Sequence, residues 1–252
     1  MITTIDHGAV RELRMSRPPA NALSPELVAA LSEALDRAPQ EGVRAIVLSG
    51  LPGIFSAGLD VPYLLTLDRE AIGRMWRSFY GLLHRLAASP VPVVAAITGH
   101  SPAGGAVLAL FCDDRVMAEG DFRIGLNEVQ VGIPIPTAIH RALVRLVGSY
   151  QAERLCVSSL LVPPAEALRL GLVEELAPPD QVVARAVERC EWLLKMPPRA
   201  MSRTREITRA DLVRLVEEGL AAELDGLADM WFSEETQATL RAVMERLAKK
   251  KG

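Results

Sequence analysis

Three short, largely apolar runs constrain the fold of this chain more than any other feature. They span Val43–Leu48, Pro92–Ile97 and Arg115–Ala118. Their lack of polar alternation is typical of strands that are buried on both faces, as in a parallel sheet. Apolar residues at helical spacing predict a long helix over Arg69–Ala88, and we interpret its apolar side as core packing. The alternation of strand, turn and helix predicts an α/β fold of stacked β-β-α units.

Local signals place further elements around these runs. The first residues predict two short strands joined at His7-Gly8, and Ser24-Pro25-Glu26 predicts a capping residue followed by the start of a helix. The second apolar run leads into a glycine-containing turn over Thr98–Gly105, which opens an apolar helix at Ala106–Phe111. Phe122–Ile124 predicts a short fourth strand.

The last part of the chain has a different character. From Thr137 onward the pattern predicts mainly helices, among them Pro164–Leu170, which begins with proline and ends at Gly171. We therefore expect a core that carries the site over residues 1–195, followed by a helical region over residues 196–252.

Charge and composition narrow the function classes. The formal net charge is −3, with 28 basic and 31 acidic residues, which argues against nucleic acid or an anionic membrane as the main partner. The longest apolar run is far too short to cross a bilayer, and the start of the chain lacks a secretory signal pattern. The three cysteines lack metal-ligand spacing, so we expect them to be core residues and expect no metal site. We expect the protein to be located in a bacterial cytoplasm.

Two loops rich in small residues could hold a ligand against the backbone. Ile54–Asp60 contains Ser-Ala-Gly, and Pro102–Gly105 ends in paired glycines where a helix begins. The N–H groups at a helix start are free and point outward along a favourable dipole. Together the two loops could supply two backbone donors to one oxygen atom. The alternative is that the first is a plain turn and that the glycines serve close packing of helix and strand.

Glu128 is the residue best suited to move a proton. It lies in the apolar stretch Gly125–Gly132, where a charged side chain is unexpected, and burial would raise its pKa towards neutrality. The alternative is a salt bridge to one of the many arginines. His100 is a further candidate base, but it lacks partners at suitable spacing for a triad. We interpret the arginine-rich run Arg199–Arg209 as a solvated helix face, or as a holder of an anionic cofactor tail.

In combination these segments resemble the crotonase (enoyl-CoA hydratase/isomerase) family over nearly the whole chain. The segments that carry the resemblance are Arg17–Leu23, Phe55–Asp60, Ala95–Gly99, Pro102–Gly105, Cys112-Asp113, Gly125–Gly132 and Pro164–Val173. The resemblance implies a crotonase (ClpP-like) spiral of β-β-α units with a C-terminal helical trimerisation region. It also implies a homotrimer or a hexamer formed as a dimer of trimers.

The resemblance further implies an acyl-CoA thioester as substrate, with CoA as part of that substrate and no separate cofactor. The N–H groups of Ala57 and Gly104 would form an oxyanion hole for the thioester. The residues expected to contact the CoA or the acyl group are Ala20, Gly58, Leu59, Asp60, Val61 and Asn127.

Two positions separate the reactions known in this family. Hydratases carry a glutamate three residues beyond the second oxyanion glycine, where this chain has Val107. Dienoyl-CoA isomerases carry an acid eight residues after the glutamate, where this chain has Pro136. Glu128 is then a single acid/base, and the motifs are similar to those of the mitochondrial-type Δ3,Δ2-enoyl-CoA isomerases. We expect a 1,3-proton shift from 3-enoyl-CoA to 2-trans-enoyl-CoA in fatty acid β-oxidation, with Val107 keeping water out of the pocket.

Two alternatives stay open on the sequence. The first is a hydratase or another crotonase-type reaction in which a different residue replaces the missing acid. The second is a non-catalytic acyl-CoA-binding protein, against which the retention of Glu128 argues.

Overall fold

A six-stranded sheet and a three-stranded sheet form the frame of the protein. The computed structural model describes the main chain of residues 1–249, and the side chains of these residues except 225 and 247–249. The strands are β1 (Ile2–His7), β2 (Val10–Met15), β3 (Ala45–Ser49), β4 (Gly53–Ile54), β5 (Val93–Ile97), β6 (Gly99–Pro102), β7 (Asp114–Ala118), β8 (Ile124–Gly125) and β9 (Glu175–Ala177). The large sheet has the order β1-β2-β3-β5-β7-β9, and the small sheet has the order β4-β6-β8. The helices are α1 (Pro25–Gln40), α2 (Val61–Leu64), α3 (Arg69–Ala88), α4 (Gly104–Leu110), α5 (Thr137–Val147), α6 (Ser149–Val157), α7 (Pro164–Leu170), α8 (Val182–Leu194), α9 (Pro198–Trp231) and α10 (Glu234–Lys249).

The central strands are apolar throughout because helices cover both faces of the large sheet. In β3, Ile46 and Leu48 point into the core formed with α1, α3 and α4, whereas Val47 points to the opposite face. That opposite face packs on α8 through residues such as Val182 and Ala186. Since successive side chains of a strand alternate between faces, two buried faces require a continuous apolar run. The predicted buried strands are confirmed, and they pair in parallel.

Each central strand is followed at once by a short strand of the second sheet, so β3-β4, β5-β6 and β7-β8 are successive β-β pairs. The predicted β-β-α units are therefore confirmed. The turn expected over Thr98–Gly105 is wrong in one respect, because Gly99–Pro102 forms strand β6 between β4 and β8. A Cβ atom on Gly99 would lie 2.0 Å from the carbonyl carbon of Gly53, so this pairing needs glycine. Tertiary contact, and not local preference, makes this segment a strand.

Several predicted ends of elements are confirmed. The N–H of Leu27 donates to the Ser24 hydroxyl (3.3 Å), which caps α1. Gly171, with φ of +77°, ends α7 in the left-handed region. The helix expected at Ala106–Phe111 begins two residues earlier, at Gly104, which places the free amides of its first turn at the paired glycines.

The C-terminal third is mainly helical, with one strand that the sequence pattern did not predict. Strand β9 extends the large sheet beside β7, where Val116 pairs with Glu175. None of the helices in the described part of the chain is both long and apolar enough to cross a membrane. The three cysteines are buried core residues, as expected. The division at residue 195 falls between α8 and α9 and stays a prediction; residues 250–252 lie outside the described residues.

The arginine-rich start of α9 is a solvated face only in part: Arg199 and Arg203 are exposed, whereas Arg205 and Arg209 are not. Arg205 contacts both carboxylate oxygens of Asp113 (2.8–2.9 Å), and Arg209 lies 3.3 Å from the same carboxylate. Arg209 also donates to carbonyl oxygens at the C-terminal ends of α3 and α4, among them that of Phe111 (2.6 Å). These carbonyls lack partners in their own helices, so they bind a cation well. The prediction is wrong for these two arginines because α9 crosses the ends of two core helices.

Candidate active site

A cavity of about 130 Å³ opens between the β-β-α units at the start of α4. Among its lining side chains, only those of Asn127 and Glu128 are polar. Its walls are Ala57, Leu59, Val61, Trp76, Phe79, Pro102, Ala103, Gly104, Val107, Asn127, Glu128, Val131, Ile133, Pro136 and Ile139. An apolar cavity with a few convergent polar groups is the usual form of a small-molecule site.

Two backbone amides face this cavity from neighbouring loops. A Cβ atom built on Gly104 would lie 3.4 Å from the nitrogen of Leu59, and one built on Gly58 would lie 2.8 Å from the nitrogen of Gly104. In the described part of the chain, neither the Leu59 N–H nor the Gly104 N–H donates to a protein acceptor. Gly104 is also the first residue of α4, where the helix dipole favours negative charge. The pair can therefore receive one oxygen atom.

Ala57 does not take the part that was expected of it. Its N–H donates to the carbonyl oxygen of Ala20 (2.9 Å), so it is not free for a ligand. The prediction of Ala57 as a backbone donor is therefore wrong, and the free amide of this loop belongs to Leu59, two residues later. No sequence signal marks this difference, because it depends on how the segment around Ala20 packs against the loop.

Two buried polar side chains hold the loop that carries Leu59. The hydroxyl of Ser56 donates to the Asn21 carbonyl oxygen (2.8 Å) and accepts the N–H of Gly58 (3.2 Å). The side-chain amide of Asn21 donates to the Phe55 carbonyl oxygen (3.1 Å). Both side chains are fully buried, so these bonds are not exchanged with water. In the sequence, Ser56 was considered only as part of a loop of small residues, and this supporting function was missed.

Asp60 was predicted to contact CoA, but its carboxylate also has a structural function within the protein. One carboxylate oxygen accepts the Tyr63 N–H (3.3 Å) and caps α2, and the other binds the guanidinium of Arg17 (2.5 Å). Both oxygens are thus engaged within the protein. Asp60, Gly58 and Ala20 are not among the residues that line the cavity, whereas Leu59, Val61 and Asn127 are.

Glu128 lies at the start of a single turn of 3-10 helix, Glu128–Val131, and its carboxylate meets an apolar wall. Its Oε2 is inaccessible to solvent and has no hydrogen-bond partner within the described residues. Burial raises the pKa of Glu128 from 4.5 to about 7, and the opposing effect of its own backbone N–H is smaller. No arginine in the described part of the chain forms a salt bridge with Glu128, so the alternative of a salt bridge is wrong for the described residues. A carboxyl group in this state can both take and return a proton near neutral pH.

Apolar side chains occupy the places where a second acid was considered. Val107 lies one turn into α4, is 1% exposed and lines the cavity. Pro136 lines the cavity just before α5 begins. His100 is not among the lining residues; its Nδ1 accepts the Arg123 N–H (3.2 Å) and its ring packs edge-on against Phe122. Among the side chains that line the cavity, Glu128 is therefore the one that can ionise.

Among the side chains that the structure describes, no group of three His, Cys, Asp or Glu residues is arranged to hold a metal ion. The expectation that the protein uses no separate cofactor stays a prediction.

Comparisons with known proteins bear on the whole chain. A family model described as enoyl-CoA hydratase/isomerase matches residues 6–251. The mitochondrial enoyl-CoA delta isomerase 1 of Homo sapiens is 34% identical over 98% of this chain and 83% of its own length. A putative enoyl-CoA hydratase of Thermus thermophilus is 36% identical over 96% of this chain and 97% of its own length. The crystal structure of the human mitochondrial delta3-delta2-enoyl-CoA isomerase superposes with a TM-score of 0.93 at 32% identity, over 100% of this chain and 99% of that one.

Proposed function

We propose that this chain, which belongs to the enoyl-CoA hydratase/isomerase family, shifts the double bond of a 3-enoyl-CoA to give 2-trans-enoyl-CoA. The match over nearly the whole chain and the superposition confirm the crotonase spiral, and the protein is an enzyme of that family. The finer assignment to isomerisation depends on one observation above all. Oε2 of Glu128 has no partner among the described residues and lies in an apolar cavity, with Val107 and Pro136 where second acids would stand.

Substrate binding in this proposal begins at the two free amides. The thioester oxygen accepts the N–H groups of Leu59 and Gly104, and negative charge develops on that oxygen when a proton leaves C2. Preorganised donors of this kind each contribute about 3 kcal/mol to the transition state in other oxyanion holes. The Ser56 and Asn21 hydrogen bonds support this step, because they fix the Leu59 loop before the substrate arrives.

Proton transfer follows at Glu128. The carboxylate removes a proton from C2 of the 3-enoyl-CoA, and the electron pair delocalises over the carbonyl and the C3–C4 double bond as a dienolate. The protonated Glu128 then returns the proton to C4, and the double bond forms between C2 and C3. No atom is gained or lost, so a single group completes the reaction. With a pKa of about 7, both the ionised and the protonated form of Glu128 are accessible near neutral pH in the free enzyme.

Exclusion of water decides between isomerisation and hydration. Hydration needs one group to activate water and another to protonate the neighbouring carbon, which two carboxylates do well. Here the side chain beyond the second amide is Val107, which offers no hydrogen bond to a water molecule. An apolar wall also keeps the charge on the dienolate close to the amides, where the low local dielectric strengthens the interaction.

The oligomeric state and the cellular location are further parts of the proposal, and they are inferred from the family. Members of this family are typically oligomeric, and we propose a homotrimer or a dimer of trimers with α9 and α10 in its formation. Relatives come from both mitochondria and bacteria, and a cytoplasmic location with a function in β-oxidation is the setting that we propose.

The similarity to a putative hydratase supports a second candidate, hydration of 2-enoyl-CoA. The two are separated by parallel assays of the purified enzyme with 3-hexenoyl-CoA and with crotonyl-CoA. We expect isomerisation of the first substrate and at most trace hydration of the second. Robust hydration without isomerisation would refute the proposed function. Binding of both thioesters without any turnover would instead favour a non-catalytic acyl-CoA-binding protein.

A further inference from the structure

The turn that carries Glu128 is held from outside the cavity by the C-terminal helix α10. Thr236, in the first turn of α10, is 2% exposed, and its hydroxyl donates to the carbonyl oxygen of Gly132 (2.5 Å). Gly132 ends the 3-10 turn with φ of +75°. A Cβ atom on Gly132 would lie 3.1 Å from the Cα of Thr236, so helix and turn are in close contact. Neither Gly132 nor Thr236 is among the residues that line the cavity.

This hydrogen bond connects to Glu128 through one peptide group. The amide that follows the Gly132 carbonyl is the N–H of Ile133, and it donates to the carbonyl oxygen of Glu128 (3.0 Å). The Thr236 hydroxyl and the Glu128 main chain therefore bind the two ends of the same amide. Hydrogen bonds in series polarise one another, so the first bond strengthens the second.

The direction of the Thr236 hydroxyl is fixed by its neighbour. Ser233 donates its hydroxyl to Thr236 Oγ1 (3.0 Å) and accepts the Thr236 N–H (3.2 Å). Because Thr236 Oγ1 accepts from Ser233, its own proton is directed to Gly132. The chain of bonds from Ser233 to Glu128 thus has one consistent donor direction.

Gln130, in the same turn, is held by the buried residue Ser159. The hydroxyl of Ser159, which is 3% exposed, accepts the N–H of Gln130 (3.2 Å), and the Ser159 carbonyl accepts the side-chain amide of Gln130 (3.2 Å). In contrast, the carboxylate atom Oε2 of Glu128 has no partner in the described residues. Its position is therefore set by the main chain of its turn, which makes the main-chain contacts important for catalysis.

We infer that Thr236 is a positioning residue for Glu128, acting through the Gly132–Ile133 peptide to hold the acid/base against the substrate. The inference rests on the proposed function, because it assigns Thr236 to the same proton transfer. It also means that α10 contributes to turnover as well as to packing.

The test compares three purified variants with the wild type. Thr236→Val keeps the shape of the side chain and removes the hydroxyl, whereas Thr236→Ser keeps the hydroxyl. The matched control is Thr239→Val, since Thr239 also lies beside Gly132 but its hydroxyl makes no hydrogen bond with the described residues. For each variant, kcat and KM are measured with 3-hexenoyl-CoA, and hydrogen–deuterium exchange is measured at the amides of residues 128–133.

In Thr236→Val we expect kcat to fall about tenfold with KM changed less than twofold, because misplacement of a catalytic group slows the reaction without weakening binding. Exchange at the Ile133 amide should become faster. Thr236→Ser and Thr239→Val should both remain within twofold of the wild type. An unchanged kcat or unchanged exchange in folded Thr236→Val would overturn the inference, and so would an equal loss in the control.

Two further outcomes are decided in the same experiment. If Thr236→Val does not fold, Ser233→Ala is measured instead, because it leaves Thr236 in place but removes the group that orients its hydroxyl. An unaltered kcat in that variant would overturn the inference. If the wild type does not isomerise 3-hexenoyl-CoA, the proposed function fails, and the exchange data alone decide whether Thr236 holds the turn.

Discussion

Replacing Glu128 with glutamine should both stabilise the protein and inactivate it. Glutamine keeps the size of the side chain and resembles the protonated carboxyl. Burial raises the pKa of Glu128 from 4.5 to about 7 in the folded protein, so the folded state binds this proton more tightly than the unfolded chain does. The charged form is correspondingly costly to bury, and glutamine removes that cost.

The size and the pH window of the effect follow from the pKa. Below about pH 4.5 the carboxyl is protonated in both states, and the substitution changes the free energy of unfolding little. As the pH rises to 7 and above, the wild type progressively loses stability that the variant keeps. A shift from 4.5 to about 7 corresponds to about 3 kcal/mol above pH 7. The expected gain of Glu128→Gln is therefore near zero at pH 4.5 and about 3 kcal/mol at pH 8.

Urea denaturation of the wild type and Glu128→Gln at pH 5 and pH 8 measures this difference directly. Glu153→Gln, at an exposed position on α6, is the matched control and should show no such pH-dependent gain. The same samples are assayed with 3-hexenoyl-CoA, where loss of the acid/base should lower kcat by roughly 10³-fold. A gain that is equal at both pH values would refute the argument from burial. Retained activity would refute the assignment of Glu128 as the acid/base.

Three other predictions concern the cavity. Val107→Glu should gain measurable hydration of crotonyl-CoA while Val107→Gln should not, because only the former restores a second carboxylate; a folded Val107→Glu without hydration would count against the two-carboxylate argument. The kcat/KM for isomerisation should rise with pH to a plateau and fall about tenfold per unit below an apparent pKa of about 7, because Glu128 must be ionised; a flat profile between pH 5 and 8 would contradict this. Gly104→Ala should lower kcat about tenfold, since its Cβ would lie 3.0 Å from Leu23 and 3.1 Å from the Cα of Gly58 and so displace an amide. Gly226→Ala, which meets nothing within 4 Å, is its control, and an equal loss in both would contradict the assignment.

Strong periodic segments made much of the fold predictable from the sequence. The apolar residues of α3 repeat at helical spacing, and the helix spans Arg69–Ala88 as expected. Strand β5 and the capped start of α1 were likewise predicted, because their signals are local. Strands β6 and β9 carry no such signal. Each is short and becomes a strand only because neighbouring backbones offer it hydrogen-bond partners.

In the site, too, features that depend on local sequence could be predicted, whereas those that depend on tertiary contacts could not. Glu128 and the paired glycines became candidates because a charge among apolar residues and glycines at a helix start are visible in the sequence. The resemblance to the family then singled out Gly104 as a donor. The choice of Ala57 was wrong because the N–H of Ala57 pairs with Ala20, which lies far away in the chain. Arg209 and Thr236 were also beyond sequence reasoning, since their partners come from other elements of the fold.

The central claim is that one carboxyl group carries a proton from C2 to C4 of the same substrate molecule. Its most direct test uses 3-hexenoyl-CoA with deuterium at C2, and measures by mass spectrometry how much deuterium reaches C4 of the product in the first turnovers. Because Oε2 of Glu128 is inaccessible to solvent in the free protein, we predict that a measurable fraction of the label is transferred to C4. A product with only solvent hydrogen at C4, even at the earliest times, would contradict a single-glutamate shuttle.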